Sequence, residues 1–141
     1  MMACTNQKSA LRAVNTTSQT IAANGFLSFA SNDLHTGCAI SHAINTPNVR
    51  LLKGLYIVSV EADVQATAAG DIALQLVQDG AEVNGAKATV TAATGSTYHL
   101  VIPMTNIGVA QACPMVRSLL QVQLTAAGTV SNTMLNVTKQ A

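Results

Sequence analysis

Apolar and polar residues alternate along most of the chain with a period of two, the spacing expected of strands with one buried and one wet face. The clearest run covers 56–65, where Tyr, Val, Val, Ala and Val alternate with Ile, Ser, Glu, Asp and Gln. The alternation recurs over 72–77, 98–104, 120–124 and 134–138. No stretch sustains a helical period over several turns. About eight to ten short strands in this pattern predict an all-β sandwich or barrel.

Turn-forming residues separate these predicted strands. Asp79-Gly80 predicts a type I′ hairpin turn, and Asn84-Gly85 predicts a second hairpin or a bulge. Pro103 indicates an edge strand or a bulge, in a strand whose Tyr98, Leu100, Ile102 and Met104 are expected on one face. The first third is less regular. There we expect short strands near 11–15, 20–22, 26–30 and 38–44.

The composition favours assembly over catalysis. Charged residues make up 9% of the 141, against roughly 25% in an average globular protein. Seven Lys and Arg against six Asp and Glu give a net charge of +1, too weak a field to gather nucleic acid or an anionic membrane. Aromatic residues are 3%, so platforms that stack bases or sugars are scarce. We therefore expect neither nucleic acid nor a membrane as partner.

The N-terminal region carries Lys8 and Arg12 where a secretion signal would need an unbroken apolar core. We expect no signal peptide and synthesis in the host cytoplasm. Three cysteines, Cys4, Cys38 and Cys113, are too few for a secreted disulfide framework, so we expect reduced thiols.

Metal-ligand residue types cluster only at Asp33, His35, Cys38 and His42, and their spacing matches no established zinc motif. We assign no metal site and read these residues as surface polar groups and a buried thiol.

Glu61 and Asp63 lie two apart on one strand face. In a single chain they are ordinary solvated charges. Around a symmetry axis, their charge could be balanced by Lys or Arg of a neighbouring copy, or three copies could hold a hard cation. The sequence leaves these alternatives open.

Signatures of catalysis and of cofactor binding are missing from the sequence. It holds no Gly-x-Ser-x-Gly, no cysteine-nucleophile motif and no glycine-rich phosphate loop. The six acidic residues include no pair supported by aromatic sugar subsites. We expect no enzyme and no cofactor.

Several segments resemble a known superfamily. KGLYIVSVEADVQ, residues 53–65, resembles the central strand of the tumour necrosis factor and complement globular-head superfamily, where Gly-Leu-Tyr opens that strand. Four further segments are similar to its bacterial and phage branch, which includes phage virion proteins and spore-surface heads: residues 10–29, 35–51, 72–90 and 129–139. The chain departs from the family in having no Gly-x-y stalk and few aromatic residues for a trimer axis.

The resemblance implies a jelly roll of two antiparallel sheets, with about ten strands, that forms a homotrimer. It places the second face of the strand in segment 53–65 toward the threefold axis. The residues expected at the trimer interface are Ile57, Ser59, Glu61, Gln121, Gln123, Met134 and Asn136. A trimer would also cover strand edges that invite aggregation in a chain with few charges.

The function that follows is that of a phage virion structural protein, either a capsid decoration or a head fibre, whose partner is the major capsid protein or another virion protein. We expect an N-terminal arm over residues 1–14, with Cys4, Lys8 and Arg12 docking on the particle, and a jelly-roll domain over 15–141. The alternative is a receptor- or glycan-binding head of a fibre or bacterial surface protein. Fold alone does not choose between them.

Overall fold

A computed structural model describes residues 8–110 and 117–141. The described residues form twelve strands and no helix. The strands are β1 (Ala10–Asn15), β2 (Gln19–Ile21), β3 (Gly25–Phe26), β4 (Ser31–Thr36), β5 (Ile40–His42), β6 (Val49–Leu51), β7 (Gly54–Ala66), β8 (Gly70–Gln78), β9 (Ala81–Ala92), β10 (Thr97–Val109), β11 (Ser118–Leu124) and β12 (Gly128–Lys139).

Two antiparallel sheets, here called sheet I and sheet II, stack face to face. Sheet I has the order β10-β7-β12-β1-β4, and β2 also pairs with β12. Sheet II has the order β5-β6-β11-β8-β9, and β3 also pairs with β11. Strands distant in sequence are therefore neighbours in both sheets. This arrangement is the two-sheet jelly-roll sandwich that the resemblance implies.

The core lies between the sheets and is built from the inward half of each alternating strand. On β7 the inward residues are buried and the outward ones partly exposed over the whole strand, as the period-two pattern predicts. Tyr56 is the largest fully buried side chain in the described part of the chain, and its hydroxyl donates to the carbonyl oxygen of Leu52 at 2.6 Å. That bond satisfies the polar end of a side chain enclosed by hydrocarbon.

The predicted turns occur where the sequence places them. Asp79 and Gly80 both have positive φ, 51° and 82°, and connect β8 to β9 as a hairpin. At Asn84-Gly85 the bulge forms instead of a second hairpin: β9 continues through the pair, and its register against β8 shifts there.

Pro103 lies on an edge strand and in a bulge. β10 ends the order of sheet I, and its register against β7 shifts between Ile102 and Thr105. The extra residue breaks the alternation, so Met104 is 77% exposed and does not share the buried face of Leu100 and Ile102. The expectation for Met104 was wrong for this reason.

Two strands were not predicted. β4 is polar and exposed at the edge of sheet I, and β6 is only three residues long, so neither carries a clear alternation. The predicted strand 26–30 is limited to Phe26 with Gly25, followed by an isolated bridge at Phe29.

The predicted boundary between arm and domain, after residue 14, falls inside β1. That strand pairs with β12 on one side and β4 on the other, so 10–14 are an integral part of sheet I. Ser9 is also buried, and its hydroxyl accepts from the backbone amide of Ala39 at 3.2 Å. Residues 1–7 of the predicted arm lie outside the described part of the chain.

Candidate functional site: the outer face of sheet I

The outer face of sheet I, the side turned away from the core, is organised in rows that cross four strands. Residues paired directly across neighbouring strands point to the same side of a sheet. One row consists of Val101, Glu61, Met134 and Val14. The next consists of Ser59, Asn136, Arg12 and Leu34. A third contains Ile57, Thr138 and Ala10.

Exposed apolar side chains concentrate on sheet I. Five large hydrophobic residues in the described part of the chain are exposed, and four of them belong to its strands: Leu34 (44%), Leu55 (43%), Val101 (48%) and Met104 (77%). Ile57, Met134 and Val14, which are partly buried, lie among them on the outer face. Exposed apolar groups gathered on one face are typical of a surface that contacts another macromolecule.

The structure brings together five of the seven residues predicted for the trimer interface. Ile57, Ser59 and Glu61 are successive outward residues of β7, and Met134 and Asn136 pair with Glu61 and Ser59 from β12. These five form one continuous surface.

Gln121 and Gln123 do not join that surface. They lie on β11 of sheet II, on the opposite side of the sandwich from the outer face of sheet I. Gln121 Nε2 donates to Asn48 Oδ1 at 2.8 Å, and Gln123 Nε2 donates to the carbonyl oxygen of Asn24 at 3.1 Å. The two amides thus hold loops of their own chain. Alternation showed that they point outward but could not show from which sheet.

The residues predicted to dock on a particle are not grouped. Arg12 is exposed in β1 and occupies the outer-face row between Asn136 and Leu34. Lys8 is exposed beside the turn at Gly37, where an added Cβ would lie 2.6 Å from the Lys8 carbonyl oxygen. Cys4 lies outside the described residues.

A charged cluster occupies one end of the outer face. His99 Nδ1 lies 2.7 Å from Asp63 Oδ1, and His99 Nε2 lies 3.8 Å from Glu61 Oε2. Asn132 Nδ2 donates to Asp63 Oδ2 at 3.0 Å. Asp63 therefore has two partners from its own chain, which the sequence did not reveal. The contact depends on the register of β10 against β7, two strands separated by the β8–β9 hairpin.

These contacts shift both groups toward their charged forms. The hydrogen bond from Asn132, and then the one from His99, lower the pKa of Asp63 below its ordinary value. The hydrogen bond to Asp63 raises the pKa of His99, although partial desolvation opposes this. The cluster is an ion pair when the imidazole is protonated.

Of the four residues Asp33, His35, Cys38 and His42, the two histidines make contacts that stabilise the fold. His42 is buried, its ring packs edge-on against Phe29, and its two nitrogens contact Asn32 Oδ1 and the Thr46 carbonyl oxygen. Burial lowers the pKa of His42. His35 Nε2 contacts the carbonyl oxygen of Ile40 at 2.7 Å. These contacts tie β4 to the segment that follows it.

Cys38 is exposed and disulfide-bonded, so the expectation of a buried, reduced thiol is wrong for this residue. Cysteine count alone could not show it, because pairing depends on which residues the fold brings together. Cys4 and Cys113 lie outside the described residues.

The described part of the chain contains no group of three or more His, Cys, Asp or Glu arranged to hold a metal ion. Within the same residues, no helix has the length and apolar character needed to cross a membrane.

Comparison with known proteins identifies the fold. No protein-family model and no curated protein sequence matches the chain. Among solved structures, murine APRIL superposes with a TM-score of 0.72 at 12% identity, covering 95% of this chain and 100% of APRIL. The globular domain of zebrafish complement 1qA protein superposes with a TM-score of 0.70 at 9% identity, covering 96% and 98%. The chain therefore has the same jelly-roll fold as these two proteins.

A third similar structure is a vertex protein. PRD1 vertex protein P5 superposes with a TM-score of 0.53 at 18% identity, covering 92% of this chain and 94% of P5.

Proposed function

We propose that the chain is a non-enzymatic structural protein of a phage virion that forms a homotrimer through the outer face of sheet I. The observation that carries the proposal is the concentration of exposed apolar side chains on that face, from Leu34 on β4 to Val101 and Met104 on β10. The tumour necrosis factor and C1q jelly roll supports a trimer, and the likeness to a phage vertex protein supports a virion.

The charge pattern of the outer face fits contact with further copies of the chain. Among the outer-face rows described above, Arg12 on β1 is the only Lys or Arg. The carboxylates of Glu61 and Asp63 lie on β7, beside His99 of β10. The centre is occupied by Ile57, Met134 and uncharged polar residues that can be desolvated at modest cost. Such an apolar centre with a polar surround is common in stable interfaces.

The interface proposed from the structure lies on sheet I alone, whereas the residues predicted from sequence are divided between the two sheets. It keeps Ile57, Ser59, Glu61, Met134 and Asn136, adds Arg12, Val14 and Val101 from the same rows, and omits Gln121 and Gln123. Arg12 consequently moves from particle docking to the interface.

Substitutions on the two outer faces test the trimer. We expect Ile57→Glu and Met134→Glu to convert the trimer to monomer, because each places a carboxylate in the apolar centre of the interface. Gln121→Glu and Gln123→Glu add the same charge on sheet II and are the matched controls. Native mass is read by light scattering, and far-UV circular dichroism confirms that each variant is folded. Loss of the trimer in the sheet II variants with retention in the sheet I variants would contradict the assignment.

Particle docking is assigned to the segment before the first strand. The Ser9 hydroxyl accepts a hydrogen bond from the Ala39 amide, and the Ser9 carbonyl oxygen accepts one from the Lys139 amide. A deletion therefore has to stop before Ser9. We expect a chain lacking residues 2–7 to remain trimeric and to lose binding to emptied phage capsids. A truncated trimer that still binds capsids would exclude the segment as the docking element. Binding of the intact trimer to host cells but not to capsids would instead indicate a receptor-binding head.

A further inference from the structure

His99 is positioned to change the charge of the proposed trimer interface. One imidazole lies between two carboxylates, with Asp63 at 2.7 Å from Nδ1 and Glu61 at 3.8 Å from Nε2. A neutral imidazole carries one N–H and can donate to only one of them, whereas the imidazolium donates from both nitrogens. Protonation therefore completes the cluster and changes its charge from −2 to −1.

The residues paired around His99 on β10, β7 and β12 include no Lys or Arg. On β7 the facing titratable groups are Glu61 and Asp63, and β12 contributes the neutral side chains of Ser131, Asn132 and Met134. β10 presents Val101 beside His99 on the same face. Arg12 lies in the next row, on β1. It pairs with Asn136, and Asn136 separates it from Ser59 on β7. His99 is thus the group whose protonation sets the local charge.

The cluster borders the apolar rows. Glu61 pairs with both Val101 and Met134, so its carboxylate belongs to the charged cluster and to the proposed interface at once. Asp63 follows on the same strand face and is partly shielded, with 28% of its side chain exposed. An interface that covers Met134 removes water from Glu61 as well.

We propose that protonation of His99 strengthens the trimer and that its deprotonation weakens it. The inference rests on the proposed function. Covering a cluster of charge −2 in each of three copies brings six carboxylates into an interface to which the described rows contribute only three Arg12 guanidinium groups, and both desolvation and like-charge repulsion oppose that. With three imidazolium groups each cluster contains an ion pair, and covering it costs less. Assembly therefore takes up protons.

The sign of the pH dependence follows from linkage. The contact with Asp63 already raises the pKa of His99 above 6.5, and an interface that favours the imidazolium raises it further. The gain in trimer stability is complete below the pKa of His99 in the dissociated chain. It is lost as the pH rises through the pKa of His99 in the trimer. The concentration at which half the trimer dissociates should rise by at most about 30-fold per pH unit, the limit for one proton per imidazole.

The test is dilution of the intact protein at about pH 6 and about pH 8, with the half-dissociation concentration read by sedimentation velocity. We expect this concentration to be at least about threefold higher at the upper pH for the unaltered chain. His99→Gln keeps a donor for Asp63 but cannot be protonated, so its half-dissociation concentration should not change with pH. His99→Lys keeps a positive charge and should hold the trimer at both pH values. His35→Gln, on β4 outside the cluster, should behave like the unaltered chain.

Failure of this inference is distinguishable from failure of the proposed function. A chain that is monomeric at both pH values and at high concentration overturns the trimer itself. A trimer with the same half-dissociation concentration at both pH values overturns only the role of His99. A pH dependence that persists in His99→Gln also overturns it, because another group would then carry the proton.

Discussion

The backbone amide of Leu55 donates a hydrogen bond to the carbonyl oxygen of Ala141 at 2.8 Å. The Leu55 carbonyl oxygen in turn accepts from the amide of Gln140 at 2.7 Å. This pairing extends the contact of β12 with β7 past Lys139, which is the last residue of the strand. The close approach occurs beside Gly54, the glycine of the Gly-Leu-Tyr segment, and it explains why that position is a glycine.

Replacing Gly54 by alanine should destabilise the fold. The residue has φ of +155°, and an added Cβ would lie 2.8 Å from the Ala141 carbonyl oxygen and 2.8 Å from Lys139 Cε. A strained backbone combined with a backbone clash costs about 1–3 kcal/mol. The change is measured as the free energy of unfolding in urea.

Gly108→Ala is the matched control for Gly54. Gly108 pairs with Leu55 from the neighbouring strand, and no atom lies within 4 Å of its added Cβ. Its unfolding free energy should change by less than about 0.5 kcal/mol. Equal losses in the two variants would mean that the contact with Ala141 is unimportant.

Gln75 should contribute to stability through its amide. Its side chain is 2% exposed, and Nε2 lies within 3.1 Å of the carbonyl oxygens of Leu76, Val83 and Ala86. These contacts hold the bulged part of β9 against β8. Gln75→Leu preserves the size but removes the donor, so buried carbonyl groups lose a partner at a cost of about 2 kcal/mol.

Gln121→Leu is the comparison for Gln75. It also loses one amide hydrogen bond, to Asn48, but in a half-buried position where water can replace it. We expect a loss below about 1 kcal/mol in thermal or urea unfolding. A Gln75→Leu variant as stable as this one would show that the bulge does not depend on the amide.

His42 should make the folded chain sensitive to acid. Burial lowers its pKa below 6.5, so the unfolded state binds a proton more readily as the pH falls. Stability therefore decreases as the pH falls below about 6.5, and the decrease ends at the lower pKa of the folded state. His42→Gln should flatten this acid slope when unfolding is measured across the range. His99→Gln should leave this acid slope unchanged, because the raised pKa of His99 makes a contribution of the opposite sign that is lost only as the pH rises above 6.5. An unchanged slope in His42→Gln would assign the acid sensitivity elsewhere.

The local pattern of the sequence was sufficient for most of the strands and for the buried side of the regular ones, but not for β4, β6 or the bulged end of β10. The alternation over 56–65 predicts both faces of β7, and Asp79-Gly80 predicts the hairpin that follows β8. In each case the information lies within one strand or one turn. The jelly-roll fold came from resemblance and is confirmed by the sheet order.

The candidate site was only partly predictable, because its geometry depends on pairing between distant strands. Gln121 and Gln123 look like Met134 and Asn136 in sequence, yet β11 and β12 belong to different sheets. The contact of His99 with Asp63 likewise requires the register between β10 and β7. Alternation assigns a residue to the inside or the outside, and only the topology decides which outside residues meet.

The native mass of the purified chain tests the central claim most directly. Light scattering or sedimentation equilibrium at about pH 6, over a series of dilutions, should give the mass of three chains at high concentration. Ile57→Glu, measured alongside, should give the mass of one folded chain. A monomer of the unaltered chain at every concentration would contradict the assignment of the outer face of sheet I as a trimer interface.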